Sequence, residues 1–393
     1  MLLHIKFRFW ILVTIVSISG FSQGMLLPII SVILEQDGVS SALNGLNATG
    51  LYIGVLLASP FMERPLQRYG YKPLIVVGGL LVILSLFSFI TWKAFWFWFA
   101  LRLLIGIGDH MLHFGTQTWI TAFSTQKDRG RNISIYGLFF GIGFAVGPSA
   151  SFLLKINPSL PFIVSSGISL LAWLTVFLLK NERPQGAVEA EAFVESFKRF
   201  GKTFKYAWVA FLPPLGYGFL EATLNGSFPV YALRNGYEVN QISILLPAFA
   251  FGSIIFQLPL GILSDKYGRH SILLAVLSTG FLAFLTASFV EDSFIALTIC
   301  LFIAGMLLGS TFSLGITYMA DLVPTSLLPA GNLMCGMAFS LGSISGPYLG
   351  GVFIQHFKGT SFFYFISMMI LFLLIGFIFH KQPKVATVKS KHS

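Results

Sequence analysis

The chain has 393 residues, of which 55% are apolar and only 10% are charged, and its mean hydropathy is +0.81. A soluble fold of this length needs far more polar side chains to cover its surface, so the composition excludes a soluble globular protein and predicts a membrane protein. The net charge of +10 is spread over several short loops and forms no single face, which argues against binding to nucleic acid.

Twelve apolar stretches follow one another along the chain, each long enough to cross a hydrocarbon core about 30 Å thick. They are continuously apolar and do not alternate in polarity, so they predict helices and not the strands of a membrane barrel. The predicted spans, numbered in chain order, cover residues 10–33, 43–62, 74–92, 95–121, 133–154, 160–179, 207–232, 243–263, 272–290, 294–318, 331–354 and 361–379. The sequence therefore predicts an all-α integral membrane protein with twelve transmembrane helices, six in each half.

The basic residues predict how the chain is oriented. If the amino terminus is cytoplasmic, twenty of the 25 Lys and Arg residues fall in cytoplasmic loops, four fall outside, and Arg102 lies within a span. This asymmetry follows the positive-inside rule and predicts a multi-pass protein of the plasma or inner membrane with both termini in the cytoplasm. The first apolar run is too long for a cleavable signal peptide, and no small-residue cleavage site follows it, so we interpret it as span one.

The chain divides into four segments. We predict an N-terminal six-helix bundle at 1–180, a cytoplasmic linker at 181–206, a C-terminal six-helix bundle at 207–380 and a basic cytoplasmic tail at 381–393. The Phe residues of the linker recur at helical spacing among acidic and basic residues, which favours a helix lying in the membrane interface. A plain solvated linker accounts for the same composition, and both interpretations stay open at this point.

The two halves repeat one another at a nearly constant offset of 198 or 199 residues. Three pairs of landmarks share this offset: Pro60 with Pro259, Gly70 with Gly268, and Gly143-x-x-x-Gly147-Pro148 with Gly342-x-x-x-Gly346-Pro347. A constant offset across three landmarks indicates one duplicated half. In an apolar chain, such a duplication is typical of transporters in which one half rocks against the other.

Three motifs carry a resemblance to a known family. The loop after span eight reads Gly-Ile-Leu-Ser-Asp-Lys-Tyr-Gly-Arg-His, span four contains Arg102-x-x-x-Gly106-x-Gly108, and span five contains the Gly-x-x-x-Gly-Pro sequence given above. Together with the twelve spans and the duplication, these motifs resemble the major facilitator superfamily and are most like its drug:proton antiporter branch. The resemblance implies the fold of that superfamily, transport by alternating access, and a gate built from the loop and glycine motifs. The gating residues that it implies are Arg68, Gly70, Asp265, Lys266, Gly268, Arg269, Gly143, Gly147, Pro148, Gly346 and Pro347.

The two halves depart from these motifs at different points. In the first-half loop, Gln67 stands where the family has Asp and Tyr71 stands where it has a second Arg. The expected charge latch is therefore weakened there, or Glu63 and Arg64 replace it. Span five lacks the Gly-Gly of the antiporter motif, whereas span eleven carries the complete Gly-Pro-Tyr-Leu-Gly-Gly, which weakens the assignment to the antiporter branch.

Ionisable residues inside the spans are few, and each is costly in hydrocarbon, so they mark candidate binding sites. Span four contains Arg102, Asp109, His110 and His113, and span seven contains Glu221. On a helix of 3.6 residues per turn, Arg102, Asp109 and His113 share one narrow stripe. Asp109 and Glu221 both lie near the middle of their spans.

The resemblance implies that spans one, four, seven and ten line a central cavity, so Asp109 and Glu221 would meet there from opposite halves. The residues expected to bind protons or substrate are Glu221, Asp109, Arg102, His113, Asn225, Tyr217 and Gln23. Glu221 has no basic neighbour on its own helix, which makes it the first candidate for the proton-coupling carboxylate. Asp109 and Arg102 also admit a second interpretation, namely a structural ion pair that serves packing alone.

No cofactor, metal or enzymatic reaction is expected. The sequence contains no phosphate loop, nucleophile elbow or zinc-protease motif, and Asp109 with two His residues on one helix supplies too few ligands for a metal. Cys300 and Cys335 lie in apolar spans without a second Cys nearby, so we interpret them as packing residues.

The sequence thus predicts a secondary active transporter that moves a small organic molecule across the membrane by alternating access. Proton-coupled efflux is the favoured direction, and proton-linked uptake of a small metabolite is the alternative. The expected partners are the lipid bilayer, the substrate and protons, with no nucleic acid, and the chain is expected to act as a monomer. A scaffold or receptor that transports nothing would leave the two mid-membrane carboxylates without a role.

Overall fold

The computed structural model describes residues 2–125, 128–184, 193–324 and 327–379. The predicted tail at 381–393 and residues 185–192 of the predicted linker lie outside these ranges. Within them the regular structure is helical, without a β-strand. The N-terminal half contains span one at Leu2–Gln36, two at Ser41–Ala58, three at Tyr71–Ser88, four at Phe95–Phe123, five at Arg129–Val146 with a 3₁₀ continuation at Gly147–Lys155, and six at Leu160–Thr175.

The C-terminal half follows a linker helix at Phe193–Ala207 that packs against spans ten and eleven. Its helices are span seven at Leu212–Gly226 and Phe228–Arg234, eight at Val239–Tyr267, nine at Arg269–Val290, ten at Phe294–Leu308 and Thr311–Leu322, eleven at Leu328–His356, and twelve at Phe362–Phe379. Eleven helices in the described ranges are long and apolar enough to cross a membrane. Span seven is present too, but it is broken at Ser227, whose hydroxyl donates to the Pro347 carbonyl oxygen at 2.8 Å. The predicted twelve-helix fold is confirmed.

The duplication seen in the sequence reappears as duplicated packing. A methyl group added to Gly147 of span five would lie 2.6 Å from the Phe21 carbonyl oxygen of span one. A methyl group added to Gly346 of span eleven would lie 2.6 Å from the Phe219 carbonyl oxygen of span seven. Both glycines therefore allow the same close approach of two backbones, once in each half.

The halves touch where span two packs on span eleven and where span five packs on span eight. We call the face that carries Arg8, Lys72, Arg129 and Arg269 the basic face. At the opposite face the backbones of spans two and eleven meet, because a methyl group added to Gly45 would lie only 2.0 Å from the Pro347 carbonyl oxygen.

Polar contacts reinforce this closure at the face opposite the basic face. Arg234 and Glu35 form a two-pronged ion pair, with Nε 2.6 Å from Oε1 and Nη2 3.1 Å from Oε2. Lys155 and Glu238 form a second ion pair across the halves at 3.2 Å. Toward the basic face, by contrast, nothing lies within 4 Å of a methyl group added to Gly137 of span five. The space between the halves beside Gly137, which lines it, is therefore open on the side toward the basic face.

Candidate functional site

A cavity of about 490 Å³ lies between the two halves. Spans one, two, four and five of the first half and spans seven, eight, ten and eleven of the second line it. Six residues predicted to bind protons or substrate are in its wall: Gln23, Asp109, His113, Tyr217, Glu221 and Asn225. Within the described residues, neither Lys nor Arg lines the cavity, and the predicted Arg102 is not in its wall.

Asp109 is almost fully buried on the first-half side of the cavity. Its Oδ1 accepts a 2.7 Å hydrogen bond from Ser19 Oγ of span one, while its Oδ2 has no hydrogen-bond partner among the described residues. Ser19 Oγ also lies 3.3 Å from His113 Nε2, and His113 Nδ1 lies 2.8 Å from the Tyr136 hydroxyl of span five. Asp109 thus belongs to a polar network that joins spans one, four and five.

Glu221 faces the same cavity from span seven and is partly buried. Asn225 Nδ2 donates to the backbone carbonyl oxygen of Glu221 at 2.9 Å. The Asn225 amide is therefore bonded to the backbone of Glu221 and not to its carboxylate. Tyr217, one turn earlier, lines the cavity on the same helix face. Across the described ranges no basic side chain forms an ion pair with the Glu221 carboxylate. It is an unpaired acid on the cavity wall.

Arg102 is fully buried behind the cavity wall. Its Nη2 lies 3.3 Å from the carbonyl oxygens of Leu26 and Leu27 in span one and donates to both. Its Nε and Nη1 have no partner in the described part of the chain. The Arg102 guanidinium is directed to these carbonyl oxygens and the Asp109 carboxylate to Ser19, so the structural ion pair considered from the sequence is not formed in this structure.

Aromatic rings make up much of the remaining wall. They are Tyr52, Tyr136, Phe140, Phe144, Tyr217, Phe249, Phe312 and Phe339. Sequence reasoning missed Tyr52 and Tyr136, because an uncharged Tyr in an apolar span gives a much weaker signal than a carboxylate. The weak signal available was a hydroxyl-bearing ring within a predicted span, near the middle of span two for Tyr52 and near the start of span five for Tyr136.

The first-half loop contains the predicted Gly70 and is held by Glu182, Arg8 and Trp119, which sequence reasoning did not select. Gly70 has φ +94°, a conformation that residues with side chains rarely adopt, and the Tyr71 amide after it donates to the Glu182 carbonyl oxygen at 3.0 Å. The Glu182 carboxylate accepts from Arg8 Nη1 at 2.5 Å and from Trp119 Nε1 at 2.9 Å. Glu182, beyond span six, therefore supplies the acid that Gln67 does not.

Two other first-half candidates, Arg64 and Arg68, have no contact with this latch among the described residues. Arg64 and Arg68 are exposed, and the Arg68 guanidinium lies over the Tyr69 ring at 5.2 Å. The side chain of Glu63 lies outside the described residues. The suggestion that Glu63 and Arg64 replace the missing charges is thus not supported for Arg64.

The second-half loop carries the charge contacts expected from its motif. Gly268 has φ +89°, matching Gly70, and Arg269 Nη2 lies 3.1 Å from Asp265 Oδ1. Arg269 Nε lies 3.1 Å from Asp321 Oδ2 at the end of span ten, a partner that sequence reasoning missed. Lys266 extends over the Tyr267 ring at 5.2 Å.

The glycines of spans five and eleven that were predicted to form a gate face their own half. A methyl group added to Gly143 would lie 1.9 Å from the Ser17 carbonyl oxygen of span one. Spans five and eleven do form contacts between the halves, as expected. Gly143, Gly147 and Gly346, however, allow close packing against helices of their own half. At the interface, Pro347 meets the other half at Gly45, and a methyl group added to Gly351 would lie 2.1 Å from the Ser41 carbonyl oxygen of span two.

In the described residues no group of three or more His, Cys, Asp or Glu side chains is arranged to hold a metal ion. His113 is instead engaged with Ser19 and Tyr136.

Comparisons with known proteins agree with this architecture. The family model of the Major Facilitator Superfamily matches residues 12–239 and 215–393. The chain belongs to this superfamily. As a member of it, the protein is a multi-pass membrane transporter that moves a substrate across the bilayer. Both halves contribute described residues to the wall of its cavity.

Sequence and structural relatives align with this transporter over most of its length. It is 60% identical over 379 residues to the MFS-type transporter YfkF of Bacillus subtilis strain 168, with 96% of each chain covered. It is 26% identical over 352 residues to multidrug resistance protein 1 of the same strain, covering 87% of this chain and 88% of the relative. Among solved structures, the nucleoside transporter NupG has a TM-score of 0.77 at 14% identity, covering 94% of this chain and 99% of NupG. At that identity the likeness to NupG shows the fold alone.

Proposed function

We propose that the protein exports small, amphipathic organic cations in exchange for protons. Two unpaired carboxylates from opposite halves, Asp109 and Glu221, line one cavity whose described wall contains no Lys or Arg. This is the observation that carries the proposal. An acidic cavity in the membrane attracts either a proton or a cationic substrate, and competition between the two couples their movements.

The cavity wall favours amphipathic cations as the substrate class. Aromatic faces attract cations and also bury apolar substrate surface. Ring pairs such as Phe312 with Phe339, whose centroids lie 5.2 Å apart, give a broad apolar surface with few fixed hydrogen-bond donors. Such a wall selects by charge and bulk, which suits structurally varied substrates.

We assign the coupling role first to Glu221. Its carboxylate reaches the cavity without an ion-pair partner, so a bound cation or a proton can neutralise it, and only one of them at a time. Asp109 is more deeply enclosed and is already hydrogen bonded by Ser19. It is the second proton site, on the opposite half.

Orientation and relatives support export. If the basic face is cytoplasmic, as the positive-inside rule predicts, the cavity opens to the cytoplasm in this conformation and can load an intracellular substrate. The protein would then lie in the plasma membrane with both termini inside. Two relatives of Bacillus subtilis are named as multidrug resistance proteins, at 26% and 25% identity.

The test is transport in everted membrane vesicles with tetraphenylphosphonium, an aromatic organic cation, as the probe. The wild type should concentrate the probe when the vesicle interior is acid, and Glu221→Gln should lower that uptake at least about tenfold. Asp292→Asn is the matched control, because Asp292 is an exposed acid outside the cavity. If the wild-type rate of probe uptake does not depend on the pH gradient, proton coupling is refuted. If the wild type moves the probe only in the opposite direction, the result supports uptake into the cell instead.

A further inference from the structure

We propose that Tyr136, His113 and Ser19 form a proton relay that delivers protons from the basic end of the cavity to Asp109. This inference rests on the proposed proton coupling and adds to it a route and three participating residues. The observation behind it is an unbroken series of side-chain contacts that joins three helices and ends on the Asp109 carboxylate.

The contacts run in one line. The Tyr136 hydroxyl lies 2.8 Å from His113 Nδ1, His113 Nε2 lies 3.3 Å from Ser19 Oγ, and Ser19 Oγ lies 2.7 Å from Asp109 Oδ1. The amide nitrogen of Gln23 lies 3.4 Å from both Ser19 Oγ and His113 Nε2, and it donates to Ser19 Oγ.

When Asp109 is ionised and His113 carries its proton on Nε2, the hydrogen bonds of this series all take one direction. A carboxylate only accepts, so Ser19 donates to Asp109. The Ser19 oxygen then accepts from His113 Nε2–H, which leaves Nδ1 of the neutral imidazole as an acceptor. The Tyr136 hydroxyl therefore donates to Nδ1. All three donors point toward Asp109.

A proton can pass along such a series without any group remaining charged. One proton reaches the Tyr136 oxygen from cavity water while the Tyr136 hydroxyl proton moves to His113 Nδ1. The Nε2 proton of His113 moves to Ser19 Oγ, and the Ser19 hydroxyl proton moves to Asp109 Oδ1. Tyr136, His113 and Ser19 each gain one proton and lose one, and His113 changes tautomer. Asp109 gains one proton and becomes neutral.

The relay runs from the basic face into the membrane. Tyr136 is seven residues, or about 10 Å, from the start of span five at Arg129, and Asp109 is fourteen residues, or about 21 Å, from the end of span four at Phe123. Tyr136 and His113 both line the cavity, so water can reach this end. Among the described residues, the other titratable or charged groups around the relay are His110 beside it on span four, Tyr52 in the first-half wall with Arg102 behind it, and Tyr217 and Glu221 across the cavity.

The sharpest perturbation removes one oxygen. Tyr136→Phe deletes the entry hydroxyl and keeps the ring, and Tyr318→Phe is its matched control, because the Tyr318 hydroxyl is buried without a hydrogen-bond partner among the described residues. Both proteins are reconstituted, and two rates are measured with labelled tetraphenylphosphonium. The first is uptake driven by an imposed pH gradient. The second is exchange of labelled for unlabelled probe at equal pH, which needs no net proton movement.

We expect Tyr136→Phe to slow gradient-driven uptake at least about tenfold, as loss of a positioned proton-transfer group commonly does, while exchange stays within about twofold of wild type. Tyr318→Phe should match wild type in both rates. Gradient-driven uptake by Tyr136→Phe at the wild-type rate overturns the relay while leaving proton coupling in place. Equal losses in both rates also overturn it, since they indicate a packing role. If wild type itself shows exchange but no response to the gradient, the proposed function fails instead.

Ser19→Ala provides a second, smaller variant should Tyr136→Phe accumulate poorly. It breaks the last link before Asp109, and the same selective loss of gradient-driven uptake is expected. Preserved gradient-driven uptake in Ser19→Ala would remove this residue, and the relay with it, from the mechanism.

Discussion

Breaking the ion pair between Glu35 and Arg234 should open the face opposite the basic face. The pair joins span one to span seven across the halves with two short contacts, and Glu35→Gln removes its charge without changing its size. A charge-assisted pair of this geometry is worth about 1.5–3 kcal/mol when shielded from water. The Arg234 and Glu35 side chains are 37% and 15% exposed, so solvent screening lowers the expected value to about 1 kcal/mol.

About 1 kcal/mol corresponds to a roughly fivefold change in an equilibrium constant. The ratio of the closed to the open form of this face should therefore fall about fivefold in Glu35→Gln. Lys155→Gln is the comparison, since its pair with Glu238 is a single 3.2 Å contact between side chains that are 48% and 70% exposed. That change should shift the ratio less than about twofold.

Distances between spin labels report this equilibrium directly. Cysteines placed at Thr91 and Lys358, both exposed beyond the ends of spans three and eleven, carry the labels on opposite halves. The free residues Cys300 and Cys335 are first replaced. A larger population of long distances is expected in Glu35→Gln. If Glu35→Gln leaves the distribution unchanged, or Lys155→Gln shifts it more, the assignment of this pair as the stronger of the two closing ion pairs is wrong.

Two further changes test the packing and the span-four charges. Gly143→Ala should destabilise the folded protein by about 1–3 kcal/mol, because its methyl group would lie 1.9 Å from the Ser17 carbonyl oxygen, whereas Gly137→Ala has open space and should melt like wild type in a thermal scan. Equal melting temperatures for the two variants would contradict the packing. Arg102 and Asp109 form no pair, so neutralising both should restore none of the transport lost by neutralising either one. Recovery in the double variant would show that the two charges are coupled after all.

The spans and the duplication could be predicted from sequence because hydrocarbon requires long, internally hydrogen-bonded helices. The convergence of Asp109 and Glu221 was also predicted, because the family resemblance implies that spans four and seven line one cavity and a charge in the bilayer has to face a cavity or a partner. The relay was not, because Ser19 and Tyr136 are uncharged, and residues of these types occur in many packed helices. Glu182 was missed for a different reason. It replaces a motif acid from a position more than one hundred residues away in sequence, where the loop signature gives no information.

The central claim, that a cation and a proton compete for Glu221, is tested most directly by proton release. Purified protein in weakly buffered solution is mixed with tetraphenylphosphonium while a pH dye records released protons and equilibrium dialysis records bound probe. The account predicts proton release on binding by wild type and by the control Asp292→Asn, and none by Glu221→Gln at any concentration at which it still binds the probe. Wild-type protein that binds the probe without releasing protons, or Glu221→Gln that releases them as wild type does, would contradict it.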